Sequence, residues 1–299
     1  MAKRRARPGL VLLVSGAMLL AFDAPARAFE DYVGTRSLAL GGALRGAAAG
    51  DSGPLLNPSG MTLARSYTIE AAYARSNRRD SNFFHGSVVD STSGLNLAGG
   101  LYYTFQSNAP SDAPTGRGHE VGLAMALPLG DYVSLGGTAK YLRLSGDQAF
   151  EGHSGGTTFD VGVTVRPLMG LSLGAVGTNL YNLKNDEVPR TIGFGVGYSP
   201  VPELMLAVDG RTMLDASLRT GTKGTSVMGG GEFFLARRYA FRLGGGYDAL
   251  DTNGYLSGGF SLVSEIGALD IAGRRDLFGV TGKAITVVTA GFRLFVPQP

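Results

Sequence analysis

The chain has no cysteine in its 299 residues, which excludes a disulfide framework, a thiolate nucleophile and a cysteine metal site. It has only three histidines, His85, His119 and His153, without the ordered acidic spacing of a metal centre. No metal or cofactor is expected. Beyond residue 28 there is no uninterrupted apolar run of about 18 residues, so no helical membrane span. There is also little excess charge. Five of the 27 Lys and Arg and one of the 24 Asp and Glu precede residue 29, leaving 22 and 23 and a net of −1. That balance removes nucleic acid as a partner, since its footprint would be a basic patch. The runs Gly229-Gly-Gly231 and Gly244-Gly-Gly246 lack the lysine and helix that follow a phosphate loop.

At the N-terminus, Lys3, Arg4, Arg5 and Arg7 form a basic region ahead of the short apolar stretch from Leu10 to Phe22. Ala26-Arg27-Ala28 places small residues where a signal peptidase reads. Residues 1–28 are therefore expected to be a secretory signal. The alternative, a retained helical anchor, is opposed by the length of the apolar stretch, which is too short to cross a bilayer.

From residue 66 the pattern changes to period two. Val121, Leu123, Met125 and Leu127 alternate with Glu120, Gly122 and Ala124, and Phe159, Val161, Val163 and Val165 alternate with Thr158, Asp160 and Thr164. Such segments are strands with one apolar and one polar face. Fourteen of them are expected, near 67–77, 82–90, 95–106, 118–128, 131–145, 157–166, 169–179, 190–199, 203–212, 224–235, 238–248, 254–262, 265–274 and 284–296. Their connections alternate between short and long, and none exceeds about 11 residues. Short turns on one side, longer loops on the other and an even strand number describe an antiparallel transmembrane β-barrel. The fold class is thus all-β, with a barrel over residues 66–299.

The apolar phase carries Tyr73, Leu101, Phe194, Val196, Phe241, Leu243, Phe292 and Leu294, and is assigned to lipid. The opposite phase carries Glu70, Lys140, Asp160, Asp209, Arg211, Glu232, Arg242, Asp270, Arg274 and Arg293, and is assigned to the lumen. Arg or Lys facing lipid at the midplane costs about 2–4 kcal/mol, whereas inside the barrel these groups can pair or be hydrated. A soluble β-sandwich would bury the apolar faces and would need neither tyrosine bands nor a single sheet of this size. Forty-seven glycines, many on the polar phase, keep the lumen side uncluttered. The two glycine runs are read either as room for an internal plug or as thin points in the wall.

Residues 29–65 differ from the rest. Arg36 to Gly50 is rich in small residues and weakly helical, and Asp51-Ser-Gly53 and Asn57-Pro-Ser-Gly60 form turns. The segment is expected to fold into the barrel as a plug, with a plain leader as the alternative. Asp51, Asn57, Pro58 and Gly60 are the candidate plug and gate residues. Asn57 and Pro58 would either lock the plug to the barrel or line a gate. The ending Phe292-Arg-Leu-Phe-Val296 is an alternating aromatic strand of the kind recognised by the barrel-assembly machinery of outer membranes, followed here by Pro297-Gln-Pro299.

Ser37-Leu-Ala-Leu-Gly-Gly-Ala43, Ala49-Gly-Asp-Ser-Gly53 and Asn57-Pro-Ser-Gly-Met61 together resemble the N-terminal segment of the FadL-like superfamily, which includes PorV- and PorQ-type barrels. Ala268-Leu-Asp-Ile-Ala272 is similar to an aspartate-bearing strand of the PorV type. The resemblance implies a plugged fourteen-stranded barrel in the bacterial outer membrane, in contact with its lipid. It implies passive transport of a small hydrophobic ligand, released sideways through the wall. Alternatively, it implies a PorV-like scaffold or shuttle with a secretion partner. The short external connections lean toward a minimal member, and a general hydrophilic pore ranks third. Catalysis is not expected: His119 or His153 beside a serine such as Ser154 is the one arrangement to weigh against solvated loop histidines. Asp215, Asp248 and Asp251 are read as solvated acids.

Overall fold

The computed structural model describes residues 32–92, 96–108, 115–146, 154–218, 221–249, 253–278 and 284–296. The proposed signal, His153, Asp251 and Pro297-Gln-Pro299 lie outside these residues.

Alternation of side chains yields fourteen strands. They are β1 (Tyr67–Ser76), β2 (Ser81–Asp90), β3 (Ala98–Asn108), β4 (Gly116–Leu129), β5 (Val133–Gly146), β6 (Gly155–Leu168) and β7 (Leu171–Thr178). After them come β8 (Thr191–Val201), β9 (Leu204–Met213), β10 (Thr225–Leu235), β11 (Tyr239–Asp248), β12 (Asn253–Val263), β13 (Gly267–Phe278) and β14 (Thr286–Phe295). Each pairs antiparallel with its sequence neighbours, and β1 pairs with β14 to close the barrel. The closing seam runs from Thr68 opposite Phe295 to Ser76 opposite Val287, so the aromatic C-terminal strand completes the wall. Closure leaves no strand edge, as the hydrocarbon region requires, because an unpaired backbone group there costs several kcal/mol.

The expected strands all form, with ends displaced by four residues at most. β13 runs on to Phe278 because Arg275 and Arg274 continue the ladder against Thr286 and Val287. Both termini of the barrel lie at the end with the short turns, which is the periplasmic end by the usual disposition of such barrels.

The outer face is a lipid-facing surface. On β4, Val121, Leu123, Met125 and Leu127 are 42–56% exposed, while Ala124 and Ala126 on the alternate phase are at most 2% exposed. Tyrosines form two bands. Tyr132, Tyr198 and Tyr239 lie toward the periplasmic end, and Tyr103, Tyr141 and Tyr247 lie in the outer half. These are the interfacial girdles of a membrane barrel.

Residues 32–66 lie inside the barrel, from Tyr32, which packs on Ala74 and Phe83 toward the outer ends of β1 and β2, to Ser66, which leads into β1 at the periplasmic end. One turn of helix, α1 (Thr35–Ala39), is followed by tight turns, a second short helix α2 (Gly53–Leu56) and a 3-10 segment at Pro58–Leu63. Such short helices are stable only through packing. Leu40, Ala43, Leu44 and Ala48 are fully buried and cluster with Leu56, Ala207 and Met228. Leu38 and Ala39 pack on Ala272 and Val287, and Met61 on Val89, Ala98 and Ala124.

Met125 lies centrally in the outward apolar row of β4. Met125→Arg is expected to destabilise the inserted barrel by about 2–4 kcal/mol. Reversible urea unfolding in lipid vesicles measures this; a loss below 1 kcal/mol would mean that the face does not meet hydrocarbon.

Candidate functional site: the plugged lumen

The plug is held first by backbone contact with a wall stripped of side chains. A Cβ on Gly244 would lie 2.3 Å from the carbonyl carbon of Leu40, and one on Gly162 would lie 2.0 Å from Asn57 Oδ1. No real side chain tolerates either approach. Gly230 and Gly244 lie opposite each other and meet Leu40 together. These members of the two glycine runs accommodate the plug.

Asn57 is fully buried and hydrogen-bonded on both ends of its amide. Its Nδ2 donates to the Arg45 carbonyl at 2.8 Å, and its Oδ1 accepts from Ser59 Oγ at 2.7 Å. Ser59 Oγ also lies 2.7 Å from Thr164 Oγ1 on β6, and Thr62 Oγ1 donates to Ser134 Oγ on β5 at 2.6 Å. Pro58 begins the 3-10 segment, where its missing N–H goes unmissed. Gly60 passes the Ala48 carbonyl so closely that a Cβ would approach its oxygen to 2.6 Å. Together these residues join the plug to itself and to β5 and β6.

Charge supplies the second hold. Arg36 of α1 reaches Glu232 of β10 with two bonds, Nε at 3.0 Å and Nη2 at 2.7 Å. Glu232 also accepts from Arg242 Nε at 2.5 Å. Arg242 bridges onward to Ser261 and, at 3.2 Å, to Asp270. Asp270 takes two bonds from Arg293, at 2.8 and 2.9 Å. Arg293 returns to the plug at Asp51, 3.7 Å away. This chain of charges crosses β10, β11, β13 and β14 and begins and ends at the plug.

A second anchor is Asp209, whose Oδ2 accepts from the backbone N–H groups of Leu44 and Arg45 at 2.8 and 2.7 Å and from Arg45 Nη1 at 3.2 Å. On the far wall, Lys140 Nζ lies 2.8 Å from Asp160, which accepts from the Asn179 N–H at 2.8 Å.

The external connection 179–190 turns inward rather than standing above the rim. Leu183 and Val188 pack on Leu142, and Thr158 donates to the Tyr181 carbonyl. A loop within the length expected for a simple external connection thus covers part of the mouth, because its apolar residues find an apolar inner position at Leu142. Between this loop and the plug is a chamber of about 110 Å³. Val33, Leu55 and Leu56 border it from the plug, Val188 and Pro189 from the loop, and Glu120, Lys140 and Arg211 from the wall.

A different hollow of about 620 Å³ lies on the outside, across β14, β1 and β2, where Ala71, Gly86 and Ala290 are ringed by Tyr73, Phe84, Tyr103 and Phe292. Behind it stand Ala72, Gly291 and His85, whose ring packs against Tyr32 and Tyr102. His85 is buried, with Nδ1 2.8 Å from Thr104 Oγ1. His119 instead faces outward, 2.8 Å from the Tyr103 hydroxyl. Among the described residues no group of three or more His, Asp or Glu is disposed to hold a metal ion.

No family model and no curated protein matches the sequence. Solved structures do match. The toluene transporter TbuX of Ralstonia pickettii aligns over 89% of this chain and 98% of its own, at 13% identity and a TM-score of 0.65. A deltaS2 mutant of the TodX monoaromatic hydrocarbon channel aligns over 91% and 100%, at 11% identity and 0.65. A FadL homologue of Pseudomonas aeruginosa aligns over 88% and 97%, at 13% identity and 0.60. The chain has the fold of the FadL-type outer-membrane barrels. In this FadL fold the sequence candidates divide into three sets. Glu232, Arg242, Asp270 and Arg293 join Asp51 in one network while Glu70 stands by His85, Asp209 lies under Arg45, and Lys140, Asp160 and Arg211 lie toward the chamber.

Sequence reasoning missed Arg36, Arg45 and the chamber residues Leu55, Leu56 and Val188. Their partners lie across the barrel, Arg36 to Glu232 for example, at separations no local pattern carries.

Two predictions follow from these contacts. Gly162→Val and Gly60→Val are each expected to unseat the plug without opening the barrel. Trypsin would then cut at Arg36 or Arg45 in protein that still migrates as a heat-modifiable barrel; an uncut plug would contradict the close approaches. Glu232→Gln, which strips Arg36 and Arg242 of a buried carboxylate, is expected to cost about 3–5 kcal/mol in the same urea titration.

Outside the membrane span, Arg190 binds Asp215 with two bonds, at 2.6 and 2.5 Å. Hydrogen bonding from Arg190 holds the Asp215 carboxyl below its usual value. The contact is therefore complete above the ordinary carboxylate range near pH 4 and is lost as pH falls through the lowered value. The chain lacks cysteine, so a spin label on a single Leu214→Cys variant, at the exposed position beside Asp215, reads this contact. The label should stay ordered to below pH 4, and adding Asp215→Asn should free it at pH 7.

Proposed function

We propose that this barrel admits a small hydrophobic molecule, one ring or a short chain in size, across the outer membrane. The observation that carries the reading is the chamber between plug and inward loop. Its volume of about 110 Å³ is somewhat below the roughly 150 Å³ of an apolar cavity that holds benzene, and Arg45, Glu120, Lys140, Glu187 and Arg211 line it beside the apolar groups. A long acyl chain does not fit it whole. Leu55, Leu56, Val33, Val188 and Pro189 supply apolar surface, and two of the similar structures are a toluene transporter and a monoaromatic hydrocarbon channel. From the chamber, the wall at β14, β1 and β2 is the proposed way into the lipid, since it opens on an apolar hollow and, His85 apart, carries small side chains at its centre. The plug stays seated while the wall flexes. Insertion by the barrel-assembly machinery through β14 belongs to the same proposal.

One observation favours a second reading, a scaffold for exported proteins. The lumen is packed with plug backbone and paired charge, as a closed structural barrel would be.

The test is uptake of a radiolabelled single-ring aromatic and of a long-chain fatty acid by cells whose own such transporters are deleted. Saturable uptake of the aromatic, cut about tenfold or more by Leu55→Trp or Val188→Trp in the chamber, supports the transporter. No uptake through a folded barrel, together with a partner recovered by membrane crosslinking, supports the scaffold instead.

A further inference from the structure

The outer ends of β4 and β5 carry an arrangement that the lumen does not explain. Arg117 and His119 on β4 and Arg143 on β5 all belong to the outward phase of their strands. His119 pairs directly with Arg143, and Arg117 lies two residues further along, opposite Ser145. Arg117 and Arg143 are therefore diagonal neighbours on one face, about 7–8 Å apart at Cα and within reach of each other's side chains. Neither has an ion-pair or hydrogen-bond partner among the described residues. Two like charges set side by side on a sheet are destabilising unless an anion lies between them.

Their height is equally informative. Below them the same face turns apolar, with Tyr103, Val121, Leu123 and Tyr141 between 42 and 56% exposed. Arg117 stands four residues above Val121, or about 13 Å of strand at roughly 3.3 Å per residue. That places the guanidinium groups above the apolar band, which is about 25 Å tall in such barrels, and level with the headgroups of the outer leaflet. His119 and Tyr103, in contact at 2.8 Å, bridge the charged and apolar parts. Elsewhere on the outer rim Arg75 is already neutralised, 3.4 Å from Asp80. Among the described residues the β4–β5 pair is not.

We propose that the outer end of β4 and β5 is a docking site for a phosphorylated, multiply acylated lipid of the outer leaflet. Its phosphate groups are taken by Arg117 and Arg143, and its acyl chains lie along Tyr103, Val121, Leu123 and Tyr141. The charge complementarity selects an anionic headgroup, and the apolar strip beneath selects a lipid over a soluble anion.

The experiment uses the folded barrel in neutral detergent and measures binding of bisphosphorylated lipid A, its dephosphorylated form and inorganic pyrophosphate by native mass spectrometry. Wild-type protein should prefer phosphorylated over dephosphorylated lipid A, and the Arg117→Gln/Arg143→Gln variant should lose roughly 30-fold in that preference. Arg75→Gln, whose charge is internally neutralised, should lose none. Both variants remain heat-modifiable if they are folded, because all three positions face outward. Equal binding of the two lipids, an equal loss in Arg75→Gln, or pyrophosphate binding as tightly as lipid A would each overturn the assignment. The rim would then be an ordinary solvated or general anion surface.

Discussion

The structure depends on one constraint: a chain that crosses hydrocarbon as strands has to bond its first strand to its last. The pairing of β1 with β14, from Thr68–Phe295 to Ser76–Val287, meets it. Once the cylinder closes, alternate residues are forced into two solvents, lipid outside and a confined lumen inside. A fourteen-stranded interior is wider than its own side chains fill, so something else has to fill it. Here residues 32–66 do so.

Filling the lumen with chain rather than side chains changes what the wall can carry. Where plug backbone passes close, as Leu40 does at Gly230 and Gly244, the inner position has to be glycine. Where space remains, the wall keeps charged groups, and these meet one another or the plug. Arg36, Glu232, Arg242, Asp270, Arg293 and Asp51 form one continuous run from plug to wall and back. Buried ion pairs contribute little net stability against apolar packing of the same volume, but they penalise any misplaced arrangement heavily. The network therefore acts mainly on where the plug sits. Leu38 to Leu44, Leu56 and Met61 supply the apolar burial that holds it there.

The same division bears on function. A plug fixed at many points across its length makes a poor sliding gate, whereas the wall at β14, β1 and β2 carries small residues, Ala71, Ala72, Gly86, Ala290 and Gly291, around the one buried ring of His85. The chamber lies on the outer side of the plug, beneath the inward-turned 179–190 segment. On the proposed transport reading, entry from outside and departure sideways leave the plug's contacts intact.

Period-two alternation is a local property, so the sequence alone determined the strands, their number, the lipid face and the inward phase of Glu70, Lys140, Asp160, Asp209, Glu232, Arg242, Asp270 and Arg293. The alternation of short and long connections added the orientation. Segment 29–65 was legible only as different, because its turns and small residues have no periodicity of their own. Which inward charge meets which, that Asn57 faces Arg45 and Ser59, and that Leu183 and Val188 fold in to roof a chamber were decided by tertiary structure alone. Those contacts join residues far apart in the chain, Arg36 and Glu232 or Asp51 and Arg293, and their distances are set by the circumference and register of a closed sheet, which no window of sequence contains.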